Sequence, residues 1–196
     1  MFDDVERDIA AIQMPSWGKV VAAAGVVPWL VFDDAGHPID PIKRYLADFM
    51  AHGNSAASAR SYAFELLRWW RWLMAVGVEW DRATPAEGRD LVLWLLRATK
   101  PVARARSRSR STAGMVNPLT GTRSLGDRYG SRTIRHSNAV IRAFYEYWIE
   151  RGLGPLVNPM PLDPRGRRAN AHHDPAEPFR PEGRIRYNPK LAQNFE

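Results

Sequence analysis

The sequence predicts an all-α protein built around four helices. Four segments between residues 37 and 162 repeat apolar residues at the three- and four-residue spacing of one helical face, beside residues that favour helix ends. Eight of the 15 prolines lie from Pro155 onward. Because proline breaks helices and cannot donate to a sheet, residues 163–196 are predicted to form an extended, proline-rich tail. Residues 1–36 are predicted to be an irregular N-terminal segment, with a short extended piece and a turn at 33–36.

The first two helices are predicted from their ends as well as from their apolar faces. The first begins at Asp40, which is followed by proline at the first helical position, and it stops at Gly53. The second begins near Ser55 and ends at Gly77. Counting 100° per residue separates an apolar face of the second helix from a basic face. The apolar face contains Tyr62, Leu66, Trp69, Trp70 and Leu73.

The basic face of the second helix is predicted to point away from the core. It contains three arginines, Arg60, Arg68 and Arg71, within about 80° of one another. Phe64 and Trp72 lie outside the apolar face, so they either pack on a second neighbour or flank the arginines. Tryptophans can stack on unpaired bases, but Trp69 and Trp70 lie on the apolar face, which favours core packing.

The third and fourth helices have equally clear ends. The third opens with Thr84 to Glu87, a capping box with proline at the first helical position, and it ends before Pro101. The fourth is predicted from about Ser131 to Arg151. Beside its apolar face lies a second row of arginines, namely Arg132, Arg135 and Arg142, within about 80° of one another.

The positive charge of the chain is concentrated in one segment. The formal net charge is +7, yet residues 97–135 alone hold ten basic side chains and one acidic one, a net of +9. Such a segment is typical of surfaces that bind a polyanion. It includes a long Ser- and Gly-rich loop, residues 98–130, of a length that is usually functional or disordered. Alternating arginines in this loop are predicted to form a flexible phosphate-binding arm: Arg104, Arg106, Arg108 and Arg110.

Two arginine-bearing helices and a basic loop together predict a nucleic-acid-binding surface. Arginine makes bidentate contacts to phosphate and to guanine. Two alternatives stay open: the faces are solvated surfaces without a partner, or the Arg/Ser-rich loop binds RNA or another protein. The DNA-binding candidates are Arg60, Arg68, Arg71, Arg104, Arg106, Arg108, Arg110, Arg132, Arg135 and Arg142.

Few residues suggest catalysis or metal binding. The chain has no cysteine, which excludes disulfides and cysteine-ligated zinc. His172 and His173, followed by Asp174, are interpreted as linker residues, because adjacent side chains diverge in an extended chain. No metal or other cofactor is predicted. The longest apolar run, residues 20–32, is interrupted by a glycine and a proline and is too short to cross a bilayer, so no membrane contact is expected.

The order of these features resembles the core-binding domain of tyrosine recombinases, the phage integrase family. The resemblance covers about residues 37–162 and depends on the second helix around Tyr62, on Trp80 followed by TPAE, and on RAFYEYWIERG followed by Asn158-Pro159. It implies a four-helix, SAM-like bundle that clamps duplex DNA, with its second and fourth helices near the major groove. It also implies contacts between neighbouring protomers on DNA, and a linker at 163–196 toward a catalytic domain.

The resemblance does not extend to the chemistry of that family. The family needs an arginine, a lysine, a His-x-x-Arg pair and a tyrosine nucleophile, and no histidine here has an arginine three residues later. Tyr187 has no catalytic neighbours in the sequence. The chain is therefore expected to be a truncated, non-catalytic DNA-binding module of a site-specific recombinase, acting in the bacterial cytoplasm. The alternative is an RNA-binding or protein-interaction module that uses the Arg/Ser-rich loop.

Overall fold

The described part of the chain is mostly helical, with a small antiparallel sheet, in a computed structural model that describes residues 7–99, 128–163 and 184–185. The all-α prediction is therefore correct in outline. In chain order the elements are β1 (Lys19–Ala22), β2 (Trp29–Phe32), α1 (Asp40–Ala51), α2 (Ala56–Val76), a 3-10 turn (Trp80–Arg82), α3 (Pro85–Arg97), α4 (Ser131–Glu150), β3 (Leu162–Asp163) and β4 (Arg184–Ile185).

Most helix ends follow the sequence prediction. The Ser55 hydroxyl accepts a hydrogen bond from the backbone N–H of Ser58 at 3.1 Å, and Gly77 ends α2 in the left-handed conformation at φ 69°. Thr84 and Glu87 form the predicted capping box. The prediction that Asp40 caps α1 is wrong by one residue. Asp40 is the first helical residue, and the cap position holds Ile39, whose side chain makes no capping bond.

The core is formed around α2, which contacts the other three helices and both strands of the hairpin. Two of its three indoles, those of Trp69 and Trp72, are hydrogen-bonded as well as buried. The Nε1 of Trp69 donates to the Tyr145 hydroxyl at 2.8 Å, and that hydroxyl donates to the Trp80 carbonyl oxygen at 2.7 Å. Trp72 is also fully buried, and its Nε1 donates to the Glu87 carbonyl oxygen at 3.0 Å. Trp72 therefore packs on a second neighbour, α3, which was one of the two expected possibilities.

The N-terminal segment is more ordered than the sequence predicts. β1 and β2 pair antiparallel as a hairpin, with Lys19 opposite Phe32 and Ala22 opposite Trp29. Val31 is buried in the same core as the helices, so residues 19–32 belong to the helical unit. The turn predicted at 33–36 is confirmed by a hydrogen bond of 3.2 Å from the Gly36 N–H to the Asp33 carbonyl oxygen.

Residues 7–12 lie against α3. Arg7 forms ion pairs of 2.6 Å with Glu87 and 3.0 Å with Asp90, both buried carboxylates. The Nε1 of Trp94 donates to the carbonyl oxygen of Ile12 at 2.9 Å. Helix α3 is thus covered on one side by the start of the described chain.

The segment after α4 packs back onto the bundle. Asn158 donates from Nδ2 to the Arg142 carbonyl oxygen at 3.1 Å, and Met160 is fully buried. Leu162 and Asp163 then pair with Ile185 and Arg184 as two short antiparallel strands, which join the end of the predicted domain to the predicted tail. The other residues of 163–196, including His172 and His173, lie outside the described residues. Among the helices that the structure describes, none is both long and apolar enough to cross a membrane.

Candidate nucleic-acid interface

The N-terminal halves of α2 and α4 lie side by side, which brings the two predicted arginine helices together. The Ser61 hydroxyl and the His136 Nε2 are 2.8 Å apart, at hydrogen-bonding distance. The rings of Tyr62 and His136 meet edge to face, with centroids 5.9 Å apart. Just before α4, the Tyr129 ring lies 4.9 Å from the Arg68 guanidinium carbon. The junction of α2 and α4 is therefore fixed by direct side-chain contacts.

Arg60 is exposed and is held between two aromatic rings. Its guanidinium carbon lies 5.2 Å from the Trp29 ring centroid and 5.1 Å from the Phe64 ring centroid. Cation–π contacts of this kind restrict the guanidinium without neutralising its charge. Arg60 therefore presents a positioned positive charge at the start of α2. Phe64, the second residue that the sequence placed outside the apolar face, flanks an arginine.

Arg68 is partly neutralised within its own helix. Its Nη1 lies 2.5 Å from Oε2 of Glu65, a buried carboxylate three residues earlier. Arg68 lies on the side of α2 that the sequence predicted, but the Glu65 carboxylate partly neutralises its positive charge. An anionic ligand near Arg68 would compete with Glu65 for the same donors, so the Arg68 guanidinium is less available than that of Arg60.

The expectation that Arg71 points into solvent as part of the DNA-contacting row is wrong. Its Nε donates to the Trp17 carbonyl oxygen at 2.5 Å, and its Nη2 donates to the Gly18 carbonyl oxygen at 2.9 Å. Burial lowers the pKa of Arg71, while the nearby Asp34 and Tyr129 act in the opposite direction. Periodicity placed Arg71 on the correct side of α2, but the unpredicted hairpin region covers that side.

Arg142 is also occupied by the protein itself, which corrects a second member of the predicted set. Its Nη1 donates to the Met160 carbonyl oxygen at 2.7 Å, and its Nη2 pairs with Glu146 one turn later. The Arg142 side chain is mostly buried, at 18% exposure. Arg142 joins α4 to the returning C-terminal segment, so its contacts need no ligand to explain them.

Arg132 and Arg135 differ from each other in surroundings. Arg132 is exposed, and it forms no ion pair with any residue that the structure describes. It lies one turn before His136, so both lie on the edge of α4 that borders α2. Arg135 is half-buried, and its Nε is shielded from solvent without a hydrogen-bond partner among the described residues. Helical spacing puts Arg135 on the flank of Arg142, about 100° from His136.

The basic loop begins and ends beside this junction. Thr99 and Arg128 form an antiparallel bridge, so the segment 100–127 leaves and returns at one point just before α4. Arg128 is exposed there. The predicted arm residues lie outside the described residues; they are Arg104, Arg106, Arg108 and Arg110. The described residues that flank this segment, Thr99 and Arg128, lie together just before α4.

We define the junction surface by the exposed or partly exposed side chains around this contact: Arg60, Ser61, Phe64, Arg68, Arg128, Arg132 and His136. Four of its members were not among the sequence candidates. Phe64 could have been found from its wheel position, which falls between Arg60 and Arg68. Ser61 and His136 could not, because their pairing depends on how α2 and α4 pack. Arg128 could have been suggested only by its position in the basic segment 97–135.

Comparison with known proteins does not assign this chain to a family. No protein-family model matches the sequence, and neither a curated protein nor a solved structure matches it. Within the described ranges, no cluster of three or more histidines and carboxylates is placed to hold a metal ion. A functional assignment therefore depends on the geometry and charge of the junction surface, together with the sequence resemblance.

Proposed function

We propose that this chain is a duplex-DNA-binding module of the site-specific recombinase type, with a SAM-like core-binding bundle and no catalytic activity of its own. The proposed partners are double-stranded DNA in the bacterial cytoplasm and other protomers bound to that DNA. The observation that supports this most strongly is the Ser61–His136 contact, because it sets two exposed, arginine-bearing helix faces side by side.

The dimensions of the junction surface suit a double helix. Helix α2 has 21 residues, about 30 Å of length, and a single helix fits the major groove, which is about 12 Å wide. Arg60, Phe64 and Arg68 follow one another at one-turn intervals along the N-terminal part of α2, where Arg60 and Phe64 are exposed. Arg132 on α4 is one turn from the contact point. This spacing suits α2 lying in the groove while the start of α4 approaches the phosphates.

Charge supports the same partner. Residues 97–135 carry a net charge of +9, and Thr99 and Arg128 within that segment form a bridge just before α4. Neutralising phosphates with such groups releases counterions, which makes affinity strongly dependent on salt. With six to eight basic groups engaged, affinity should fall by roughly three to four decades between 50 and 200 mM salt.

The proposal assigns no catalytic residue. No histidine in the sequence is followed by arginine at the third position, and His136 is bonded to Ser61 at the α2–α4 contact. Incubation with supercoiled plasmid should therefore give no nicked product. A covalent phosphotyrosyl adduct on this chain would overturn the non-catalytic part of the proposal while leaving DNA binding in place.

The proposal is tested by measuring duplex affinity as a function of salt for matched arginine variants. Arg60→Ala and Arg132→Ala should each lower the slope of log affinity against log salt by about one. Arg82→Ala is the control, because it removes one exposed arginine just beyond the opposite end of α2. Equal slopes for all three variants would show that only overall charge matters, and would contradict the assignment of the junction surface.

Deleting residues 101–112 separates the proposal from RNA or protein binding through the Arg/Ser-rich loop. Duplex binding should survive in part, because Arg60 and Arg132 remain. Complete loss, together with a preference of the intact chain for single-stranded RNA over duplex DNA in competition, would favour the alternative.

A further inference from the structure

Phe64 is an exposed aromatic side chain in the middle of the basic row of α2. Its exposure is 43%, far above that of the core aromatics, and it is the residue between Arg60 and Arg68 at successive one-turn steps. Exposing so much apolar surface is unfavourable in the free protein. Arg60 covers part of the ring with its guanidinium, 5.1 Å from the centroid. The remainder is open on the side where the proposed function places DNA.

The Arg60–Phe64 pair offers two kinds of contact by which side chains recognise bases in the major groove. Arginine donates two parallel hydrogen bonds to the O6 and N7 of guanine, whereas an apolar side chain contacts the 5-methyl group of thymine. The Trp29 ring also contacts the Arg60 guanidinium, at 5.2 Å, so the guanidinium is positioned before binding. Side chains four residues apart on a helix are about 6 Å apart, which spans neighbouring base pairs.

We propose that Phe64 is a base-reading residue that contacts the 5-methyl group of a thymine in the major groove, next to a guanine contacted by Arg60. This inference rests on the proposed function, since it assumes that α2 enters the groove of a duplex. It goes further by stating which feature of the DNA sequence α2 recognises.

The surroundings of Phe64 favour a methyl contact over stacking on an unpaired base. A stacking platform needs a ring face that is open and broad. The Arg60 guanidinium lies over the Phe64 ring, and Phe64 projects from a long helix. A projecting side chain of this kind reaches a groove wall, where the thymine methyl is the apolar group available.

The test begins with selection of tightly bound duplexes from a random pool by the intact chain. Each thymine of a selected duplex is then replaced singly by deoxyuridine, which removes only the 5-methyl group. At one position the wild-type affinity should fall by about fourfold, the fold-change expected for losing one buried methyl group. The Phe64→Ala variant should bind the thymine duplex less tightly and should show no further loss with deoxyuridine at that position.

The matched control is Met74→Ala, since Met74 is an apolar side chain on the same helix with a similar exposure of 47%. This variant should keep the wild-type response to deoxyuridine. If the pool yields bound duplexes but no deoxyuridine substitution matters, or if Phe64→Ala retains the wild-type response, the inference is wrong while DNA binding stands. If no duplex is bound at all, the proposed function and the inference both fail.

Discussion

The Nε of Arg71 donates a hydrogen bond to the carbonyl oxygen of Trp17, 54 residues away in the sequence. The adjacent Nη2 donates to the carbonyl oxygen of Gly18, so one guanidinium satisfies two consecutive backbone acceptors. This contact fixes the entry into β1 against the C-terminal half of α2. An arginine that helical periodicity assigns to a ligand-binding row therefore acts in holding the hairpin.

Replacing Arg71 by alanine should destabilise the fold more than replacing any exposed arginine of α2. The change leaves the Trp17 and Gly18 carbonyls without their charged donor, and hydrogen bonds to charged groups contribute about 1.5–3 kcal/mol each. The free energy of unfolding should fall by about 3 kcal/mol, as measured by urea denaturation. Arg60→Ala, at an exposed site, should change it by less than about 1 kcal/mol.

Arg71→Lys sharpens this prediction. Lysine keeps the charge but lacks the planar fork that reaches two acceptors at once. It should recover less than half of the stability lost in Arg71→Ala. Full recovery would show that charge alone, rather than the paired hydrogen bonds, holds the hairpin to α2.

The sequence predicted the helices well because their ends are encoded locally. Ser55, Gly77 and Thr84 each act through bonds to residues within five positions, so their effects are visible in a short stretch of sequence. The hairpin was missed for the opposite reason. Only β2 was recognised as extended, and its pairing with β1 is supported by packing of Val31 into the core, a contact between elements.

Tyr145 links two parts of the core through one hydroxyl group, and its replacement by phenylalanine tests that link. The hydroxyl accepts from the Trp69 Nε1 and donates to the Trp80 carbonyl oxygen. Phenylalanine would leave both groups without this partner in a buried site, which costs about 1–3 kcal/mol. Urea denaturation near neutral pH should show this loss. No loss would indicate that water replaces the hydroxyl.

The stability difference between wild type and Tyr145→Phe should also depend on pH in the alkaline range. Burial raises the pKa of Tyr145 far above the ordinary tyrosine value of 10.0. A raised folded-state pKa means that the stabilisation is fully present below pH 10 and is lost as the pH rises, because only the unfolded chain ionises. The stability difference between wild type and Tyr145→Phe should therefore shrink by about 1 kcal/mol between pH 10 and 11, since half of the unfolded chains are already ionised at pH 10. A constant difference would contradict this account of Tyr145.

The ion pairs of Arg7 should give the protein an acid-sensitive component of stability. Burial alone would raise the pKa of Glu87, but hydrogen bonds from Thr84 and Arg7 outweigh it, so the pKa is lowered. A lowered pKa means that this stabilisation is present above the unfolded value, 4.5, and is lost as the pH falls below it. Arg7→Ala should destabilise by about 2–3 kcal/mol at neutral pH, since buried Glu87 and Asp90 lose a partner.

The difference between wild type and Arg7→Ala should decrease as the pH falls from about 5 to 3, since Glu87, with which Arg7 pairs, becomes protonated. Arg44→Ala is the control, because Arg44 pairs with Asp40 at a site where both side chains are at least 60% exposed. Its effect should stay below about 1 kcal/mol. A difference for Arg7→Ala that does not change with pH would assign its effect to packing rather than to charge.

Helical periodicity predicts on which side of a helix an arginine lies, but not whether another part of the chain covers it. The helical wheel placed Arg60, Arg71 and Arg132 on the correct outer sides of their helices. It could not show that residues 17–18 cover one of them, because that contact joins distant parts of the chain. Arg142 was lost from the predicted set for the same reason, through its bond to Met160. Arg60 and Arg132, the exposed members of the two rows, form no hydrogen bond or ion pair with a distant residue of the described chain.

Replacing Gly88 by alanine should destabilise the protein, although alanine usually stabilises a helix relative to glycine, because packing leaves no room for the added Cβ. Glycine to alanine inside an exposed helix stabilises by up to about 1 kcal/mol. A Cβ at Gly88, however, would lie 2.2 Å from the Pro159 carbonyl oxygen, and a backbone atom cannot simply rotate away. Gly88→Ala should therefore lower the free energy of unfolding by about 2 kcal/mol in urea denaturation. Asn158→Ala removes the bond to Arg142 that holds this segment, so the double variant should lose less than the two single losses combined. A stabilising Gly88→Ala would show that residues 158–160 do not pack against α3 in solution.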